Sequence, residues 1–368
     1  MKIALVTPGG FDRSGRERVI PVFLWLVERL SRRHEVHVYT LNQYPYPDTY
    51  PLLGATVHNI GTDGLARRAP YQILYALRAL QSEQRQGRFD VVHGLWAHQC
   101  GLIAALAGRR WRVPGIVTPA GGELVALPEI DYGGQLRRNS RIIIKFSLLL
   151  ASKVTVASEY MRHLLRPYRP DARVITLGVD TCRFQPPALP PTGPPWRLLH
   201  VASLNRVKDQ PMLLRAFARI HAAAPDAHLD IIGEDTLDGE IQRLAHILGL
   251  EEAVTFHGFQ PSEVVARALQ RSHLLLHTSR HEAAQVVVLE AAACAVPTVG
   301  TAVGHVDDMA PERSVAVPVG DHAALAWAAL ELIRDQSSRH ALGQRALAWA
   351  KAHDADWTAS QYEALYAE

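Results

Sequence analysis

Residues Gln185–Trp196 read QPPALPPTGPPW. Proline lacks an amide hydrogen and locks φ, so a run this dense belongs to neither a helix interior nor a central strand. The segment reads as an extended linker. On both sides of it, short β-branched runs alternate with longer segments of helical period. Upstream, strands are expected at Lys2–Thr7, Glu35–Tyr39, Ala55–Ile60, Asp90–His93, Gly115–Thr118, Lys153–Ala157 and Arg173–Thr176, with helices at Glu17–Arg33, Tyr71–Gln86 and Cys100–Arg109 between them. Downstream the alternation restarts with strand Arg197–Val201 and helix Gln210–Ala223, and continues to helix Val286–Cys294 and strand Thr298–Gly300. Such alternation implies parallel sheets covered by helices on both faces. Two α/β halves follow: 1–184, then the linker 185–196, then 197–344. A wholly helical tail at 345–368 is long enough to reach back over the first half. In open α/β sheets ligands bind beyond the carboxyl ends of the strands, so the site is expected in a cleft that the two sheets face.

Bulk numbers narrow the function. A chain of 368 residues exceeds what one core usually supports. Its 39 basic and 36 acidic side chains leave a net charge of only +3, which argues against a nucleic-acid partner. Cys100, Cys182 and Cys294 form no C-x-x-C pair, so neither a disulfide framework nor a zinc site is expected. The opening MKIALVTPGG has too short an apolar run for a signal peptide and reads as a first strand. No apolar run approaches the ~20 residues that span a bilayer. The expectation is a soluble cytoplasmic protein.

The segment richest in chemistry is Ser279–Gly300, SRHEAAQVVVLEAAACAVPTVG. A strand ends near His277, a polar loop carries Glu282, and a helix of small apolar residues starts near Gln285, with Glu290 in its second turn. The two carboxylates can point into one cleft and accept hydrogen bonds from sugar hydroxyls. Between them the amides of Ala284, Gln285 and Val286 form a helix N-terminus, a cradle for a diphosphate. A capped surface helix with two unrelated glutamates accounts for the segment equally well.

Glu282-x(7)-Glu290 followed by Ala293-x(3)-Pro297 resembles the signature of glycosyltransferase family four, retaining enzymes of GT-B fold. Further matches follow in order along nearly the whole chain. Ser14-Gly15-Arg16-Glu17 is similar to the family's Gly-Gly-x-Glu loop, and His34-Glu35-Val36 falls at the usual place on the next strand. Leu177-Gly178-Val179-Asp180 with Phe184 and Pro186 resembles its entry into the linker, and Ala202-Ser203-Leu204 through Lys208 its Gly-Arg-Leu-x(3)-Lys stretch. Trp357 and Tyr366 lie where the closing helix usually carries aromatics. The resemblance implies two Rossmann-like domains facing a central cleft, with the C-terminal helix crossing back to the first. It also implies Glu282 on donor-sugar hydroxyls, Glu290 on the ribose, Lys208 on the diphosphate, Phe259 beside the base and Gly15 close to the phosphates. No metal or other cofactor is implied: cations and oriented amides stabilise the departing diphosphate.

Departures from the pattern matter as much. Ser203 stands where the family commonly has Arg, and Arg206 is the candidate to supply the lost cation. The acceptor-side loop reads Thr118-Pro119-Ala120-Gly121-Gly122-Glu123, with Ala120 where a His is usual; His93 and His98 are the candidates to replace it. Gln285 is expected to put a polar side chain beside the donor sugar. His277 and His281 bracket a strand end and are not expected to hold a metal. Arg137, Arg138, Arg141 and Lys145 flank the apolar run Ile142–Leu150, a basic amphipathic helix that suits either a peripheral contact with an anionic membrane or a solvated face. The expected activity is sugar transfer from a UDP- or GDP-sugar to a glycan, lipid-linked or small-molecule hydroxyl. The alternatives are a nucleotide-sugar epimerase and a nucleotide-sugar-binding protein with degenerate activity.

Overall fold

The computed structural model describes residues 1–64 and 69–368. The chain forms two compact units, Met1–Leu177 with Ala355–Glu368, and Gly178–Asp354.

The first unit is built on an eight-stranded sheet. Its strands are β1 (Lys2–Thr7), β2 (Glu35–Thr40), β3 (Asp48–Leu52), β4 (Ala55–Asn59), β5 (Val91–Leu95), β6 (Gly115–Thr118), β7 (Lys153–Val156) and β8 (Arg173–Val174). They lie in the order β3-β4-β2-β1-β5-β6-β7-β8, all parallel except the hairpin partner β3. Strand β1 is buried along its whole length, as a strand covered on both faces must be. The second unit holds a six-stranded parallel sheet: β9 (Trp196–Val201), β10 (Ala227–Ile232), β11 (Val254–Phe256), β12 (Leu274–His277), β13 (Thr298–Thr301) and β14 (Val315–Val317), in the order β11-β10-β9-β12-β13-β14. Counted within this unit that order is 3-2-1-4-5-6, the doubly wound arrangement with its switch point between the first and fourth strands. The first unit has the same switch point between β1 and β5, extended at both edges.

Local departures from expectation have identifiable causes. The first helix begins at Pro21, not Glu17. Proline takes the first helical position and disfavours helical φ/ψ in the residue before it; Ile20 is accordingly extended. Strand β3 contains Pro51, tolerated because the strand lies at the sheet edge. The chain leaves the first unit after Leu177, not at the prolines. Residues 185–191 instead pack on the second unit: the Gln185 carbonyl accepts from Gln270 at 3.0 Å. Pro186, Pro187, Pro190 and Pro191 line a groove of about 230 Å³ with Cys294, Val296 and Arg339. At Gly178 a Cβ would lie 2.1 Å from the His353 carbonyl oxygen, so the outgoing and returning stretches of chain pass each other at a point that only glycine fits.

The closing helix, Ala355–Ala367, belongs to the first unit and packs on the Pro21–Leu30 helix. Its Tyr366 hydroxyl bonds His93 Nδ1 at 2.8 Å, and Tyr362 stands 3.4 Å from the Thr155 hydroxyl.

Candidate functional site

In the second unit the switch point places two loops side by side, 202–209 after β9 and 278–285 after β12. Their backbones are stitched together: the Arg280 amide donates to the Val207 carbonyl at 2.8 Å, and the Thr278 hydroxyl to the Lys208 carbonyl at 2.9 Å. Asn205 caps the short turn Arg206–Lys208 by accepting the Lys208 amide. Lys208 is thereby held with its ammonium on the Glu282 carboxylate, Nζ to Oε1 2.5 Å.

Glu282 Oε1 also accepts from the Ser279 hydroxyl at 2.5 Å and lies 3.2 Å from His277 Nε2. Ser279 and His277 are themselves 3.0 Å apart. Burial alone would raise the carboxyl's pKa; the Lys208 ammonium, with His277, outweighs it and holds the group well below the usual carboxylate range. The result is a carboxylate that stays ionised, mostly buried and fixed by three side chains. Motif reading found Glu282 and Lys208 but missed Ser279 and His277, because their value lies in being folded onto Glu282.

The Val286–Ala293 helix begins at Gln285, which makes no side-chain capping bond. Its own N-cap therefore leaves the first-turn amides to another partner, and the positive end of a helix favours an anion. Gln285 itself corrects an expectation. Its side chain is buried, donates to the Val303 carbonyl at 2.7 Å and accepts the His305 amide at 2.6 Å. It ties this loop to the Gly304–Met309 helix, with both ends of its amide engaged there. Gly304 makes room for it: at φ 52°, a Cβ there would lie 2.4 Å from Gln285 Oε1 and 3.0 Å from the Glu282 Cβ. Glu290, one turn on, is 6 % exposed. Burial pushes its pKa up to about 8, and no hydrogen bond holds its carboxyl among the described residues. Arg206 is exposed and likewise unpaired among the described residues. Ser203 is exposed beyond β9, and Phe259, beyond β11, is 54 % exposed. Both lie on carboxyl-end loops of this sheet.

The first unit presents its own carboxyl-end loops. After β1, the Ser14 hydroxyl accepts the amides of Arg16 and Glu17, and Gly15 is left-handed at φ 64°. After β6, the buried Glu123 carboxylate accepts three amides, from Ala97 (2.9 Å), Ala120 (3.2 Å) and Gly121 (2.7 Å). Glu123 is thus a clamp between two loops; burial raises its pKa against the pull of those amides. Gly121 and Gly122 are spacers. A Cβ on the first would meet Trp96 Nε1 at 2.8 Å, and on the second the Tyr132 ring at 2.6 Å. His93 is a second correction. It is fully buried, and both ring nitrogens are taken, by Tyr366 and by Thr118 at 2.7 Å. It anchors the closing helix, and neither ring nitrogen is left facing a cleft. His98 is half-buried at the start of the Gln99–Trp111 helix, with its pKa lowered by burial. Next to it Trp96 has φ 78°, a strained backbone for a bulky residue, which no sequence pattern announced.

Among the described residues, the His and carboxylate side chains close enough to share an ion are His37, His58 and Glu83, whose ligand atoms lie within 4.8 Å of one another. The group is already bonded internally. His37 Nε2 donates to Glu35 at 2.9 Å, and its Nδ1 shares a hydrogen bond with His58 Nε2 at 3.0 Å, in rings only 8° from parallel. Lys2 occupies Glu83 at 2.6 Å.

Comparison with known proteins gives the same picture over the whole chain. Residues 19–180 match the family described as Glycosyl transferase 4-like domain, and residues 183–349 match Glycosyl transferases group 1. The N-acetyl-alpha-D-glucosaminyl L-malate synthase of Bacillus anthracis is 25% identical over 355 residues, covering 91% of this chain and 90% of that protein. A D-inositol 3-phosphate glycosyltransferase of Nocardia farcinica is 28% identical, covering 98% and 87%. Among solved structures, sucrose-phosphate synthase from Thermosynechococcus elongatus superposes with a TM-score of 0.85 at 20% identity, covering 100% of this chain and 98% of that one. Anabaena HepE in complex with UDP-glucose gives 0.76 at 18%, with both chains covered fully. With paired family domains, two parallel sheets and the Glu282–Glu290 motif in place at a switch point, the chain belongs to the glycosyltransferases of family-four type and has the GT-B fold.

Proposed function

We propose that this glycosyltransferase moves a sugar from a nucleoside-diphosphate sugar to a hydroxyl acceptor with retention of configuration. The observation that carries the reading is the meeting of Lys208 and Glu282 at the switch point of the second sheet, beside an uncapped helix N-terminus. Lys208, Arg206 and the amides of 284–286 supply the positive field that a leaving diphosphate needs. Ala284, Gln285 and Val286 contribute through their backbone. Glu282, kept ionised, accepts hydroxyls of the donor sugar, and Glu290 accepts those of the ribose. Phe259 and Ser203 flank the base and phosphate ends. The departing phosphate takes the acceptor's proton, so no protein nucleophile and no metal is required; turnover is expected to persist in excess chelator. Catalysis then rests on orientation and on charge placed in advance.

Solved neighbours that carry UDP or UDP-glucose make a UDP-sugar the first donor to test, with a GDP-sugar second. The acceptor is a glycan, a lipid-linked carrier or a small molecule, met on the first unit through His98, Gly121 and Gly122, while Ser14 and Gly15 serve the donor's phosphates. Its place of action is the cytoplasm or the inner face of the membrane. Among the described residues no helix is long and apolar enough to cross one.

A thermal-shift screen of UDP-, GDP- and ADP-sugars tests the donor. A nucleotide at ~100 times its dissociation constant adds about 2.7 kcal/mol of stability. No shift with any of them contradicts the reading. Release of the nucleoside diphosphate with the sugar appearing on an added hydroxyl compound supports transferase over epimerase chemistry, and an altered nucleotide-sugar as the sole product contradicts it.

A further inference from the structure

The Arg138–Leu150 helix departs from the rules that stabilise a surface helix. Its N-cap, Arg137, makes no side-chain capping bond, and its first turn holds no acid. Arg137, Arg138 and Arg141 instead crowd the positive end of the helix, where the dipole disfavours cations. One face is buried through Ile144, Ser147 and Leu148, packed with the Gln99–Trp111 helix. The other face leaves Ile142, Phe146 and Leu149 at 46, 49 and 61 % exposure. Their i, i+4, i+7 spacing lines them up in one apolar stripe. Exposed Arg138, Arg141 and Lys145 run beside it. From Tyr132 through Ser158 the sequence contains no Asp or Glu. At the helix start Arg137 lies 3.9 Å from Asp131, and both side chains are exposed. At the far end two further arginines close the helix, Arg109 on the Leu150 carbonyl and Arg169 on that of Leu148.

We propose that this face docks on an anionic lipid bilayer, lying in the interface with Ile142, Phe146 and Leu149 inserted. Lipid phosphates would neutralise the arginines and the helix dipole together, and the acyl boundary would take the stripe that water now meets. Apolar insertion combined with basic attraction is the pairing that holds interfacial helices. A local arrangement unfavourable in water is thus matched in both charge and polarity by one surface. The inference stands apart from the sugar-transfer reading and survives or fails without it.

The test is flotation of the full chain with vesicles of phosphatidylcholine alone and of phosphatidylcholine mixed with phosphatidylglycerol. The chain is expected to float with the anionic vesicles at low salt and to come off as salt shortens the Debye length. Arg138→Glu/Arg141→Glu/Lys145→Glu is expected to lower the bound fraction roughly tenfold or more. Ile142→Ser/Phe146→Ser/Leu149→Ser is expected to weaken binding as well. Both variants should keep the parent's melting temperature and its shift with UDP, which separates lost docking from lost folding. Failure of the parent chain to float with anionic vesicles overturns the proposal, and so does equal flotation with neutral ones. A solution dimer that the serine variant dissociates also overturns it, by assigning the stripe to a second copy of the chain.

Discussion

Glu282 and Glu290 are eight residues apart and lie in opposite electrostatic states. Glu282 is mostly buried against an ammonium and stays charged; Glu290 is buried without a partner among the described residues and favours its neutral form up to about pH 8. Two carboxyls pushed apart in this way suit two tasks. Glu282→Gln keeps the shape but removes the charge facing Lys208, so turnover should fall ~100-fold while the UDP dissociation constant moves less than about threefold. Glu290→Ala should do the reverse, weakening UDP by about tenfold; steady-state kinetics and calorimetric titration separate the two. The neutral state of Glu290 gives the pH dependence its sign. Ribose hydroxyls donate to a carboxylate, so binding favours the ionised form, and UDP affinity should rise roughly tenfold between pH 7 and 9. Glu290→Gln should flatten that rise. Stability runs the other way: because the folded pKa is raised from 4.5, the contribution is complete below about pH 4.5 and lost as pH climbs through about 8. Glu290→Gln should therefore gain ~1 kcal/mol or more over the parent at pH 9 relative to pH 5 in urea melts. This scale also marks where sequence reading stops. Glu282, Glu290 and Lys208 stood out by type and spacing, whereas His93 looked equally well placed. What removes it from the site is a tyrosine 273 positions away on its Nδ1, a contact no local pattern contains.

Elements were more legible than residues because periodicity is a property of segments. The strand–helix alternation fixes two parallel sheets, and the uncapped start of the Val286–Ala293 helix follows from the absence of Ser, Thr, Asp or Asn at its N-cap. The three-residue β14 carries no full period to read, and in β3 Pro51 argues locally against a strand. The joints between elements were the least legible part. Gln285 looked like a ligand-facing substitution and is a tether to the next helix, possible because Gly304 leaves its space empty. Gly304→Ala is the sharp probe of that joint. It places a methyl 2.4 Å from Gln285 Oε1 at a left-handed backbone, and should destabilise the chain by ~1–3 kcal/mol. Since the same Cβ lies 3.0 Å from Glu282, turnover should fall further than stability predicts when assayed well below the melting transition. Lys208→Ala acts at the facing joint. It strands a buried carboxylate, and about 1–3 kcal/mol should be lost in denaturant melts.

Over the whole molecule the proline run announced a division correctly but misplaced it. The prolines pack on the second unit, while the chain crosses near Gly178, where a glycine and two passing backbones leave no compositional mark. The crossing back is better marked, since an aromatic-bearing terminal helix has to bury its rings somewhere. In the first unit Tyr362 and Tyr366 are buried over the sheet, with His93, Thr118 and Thr155 joined to them in one hydrogen-bonded group. That group makes the last fourteen residues part of the first unit's core although 177 residues of the second unit intervene. Ending the chain after Asp354 should therefore act on one unit alone. The rings' burial would be lost, and His93 would keep a buried nitrogen without a partner. Losses of ~3–5 kcal/mol per large aromatic leave little of a domain's stability. Calorimetry of the shortened chain should show the first unit's transition abolished or moved far down in temperature, with a second transition retained and still raised by UDP. A single transition lowered as a whole would mean that the two units do not unfold independently.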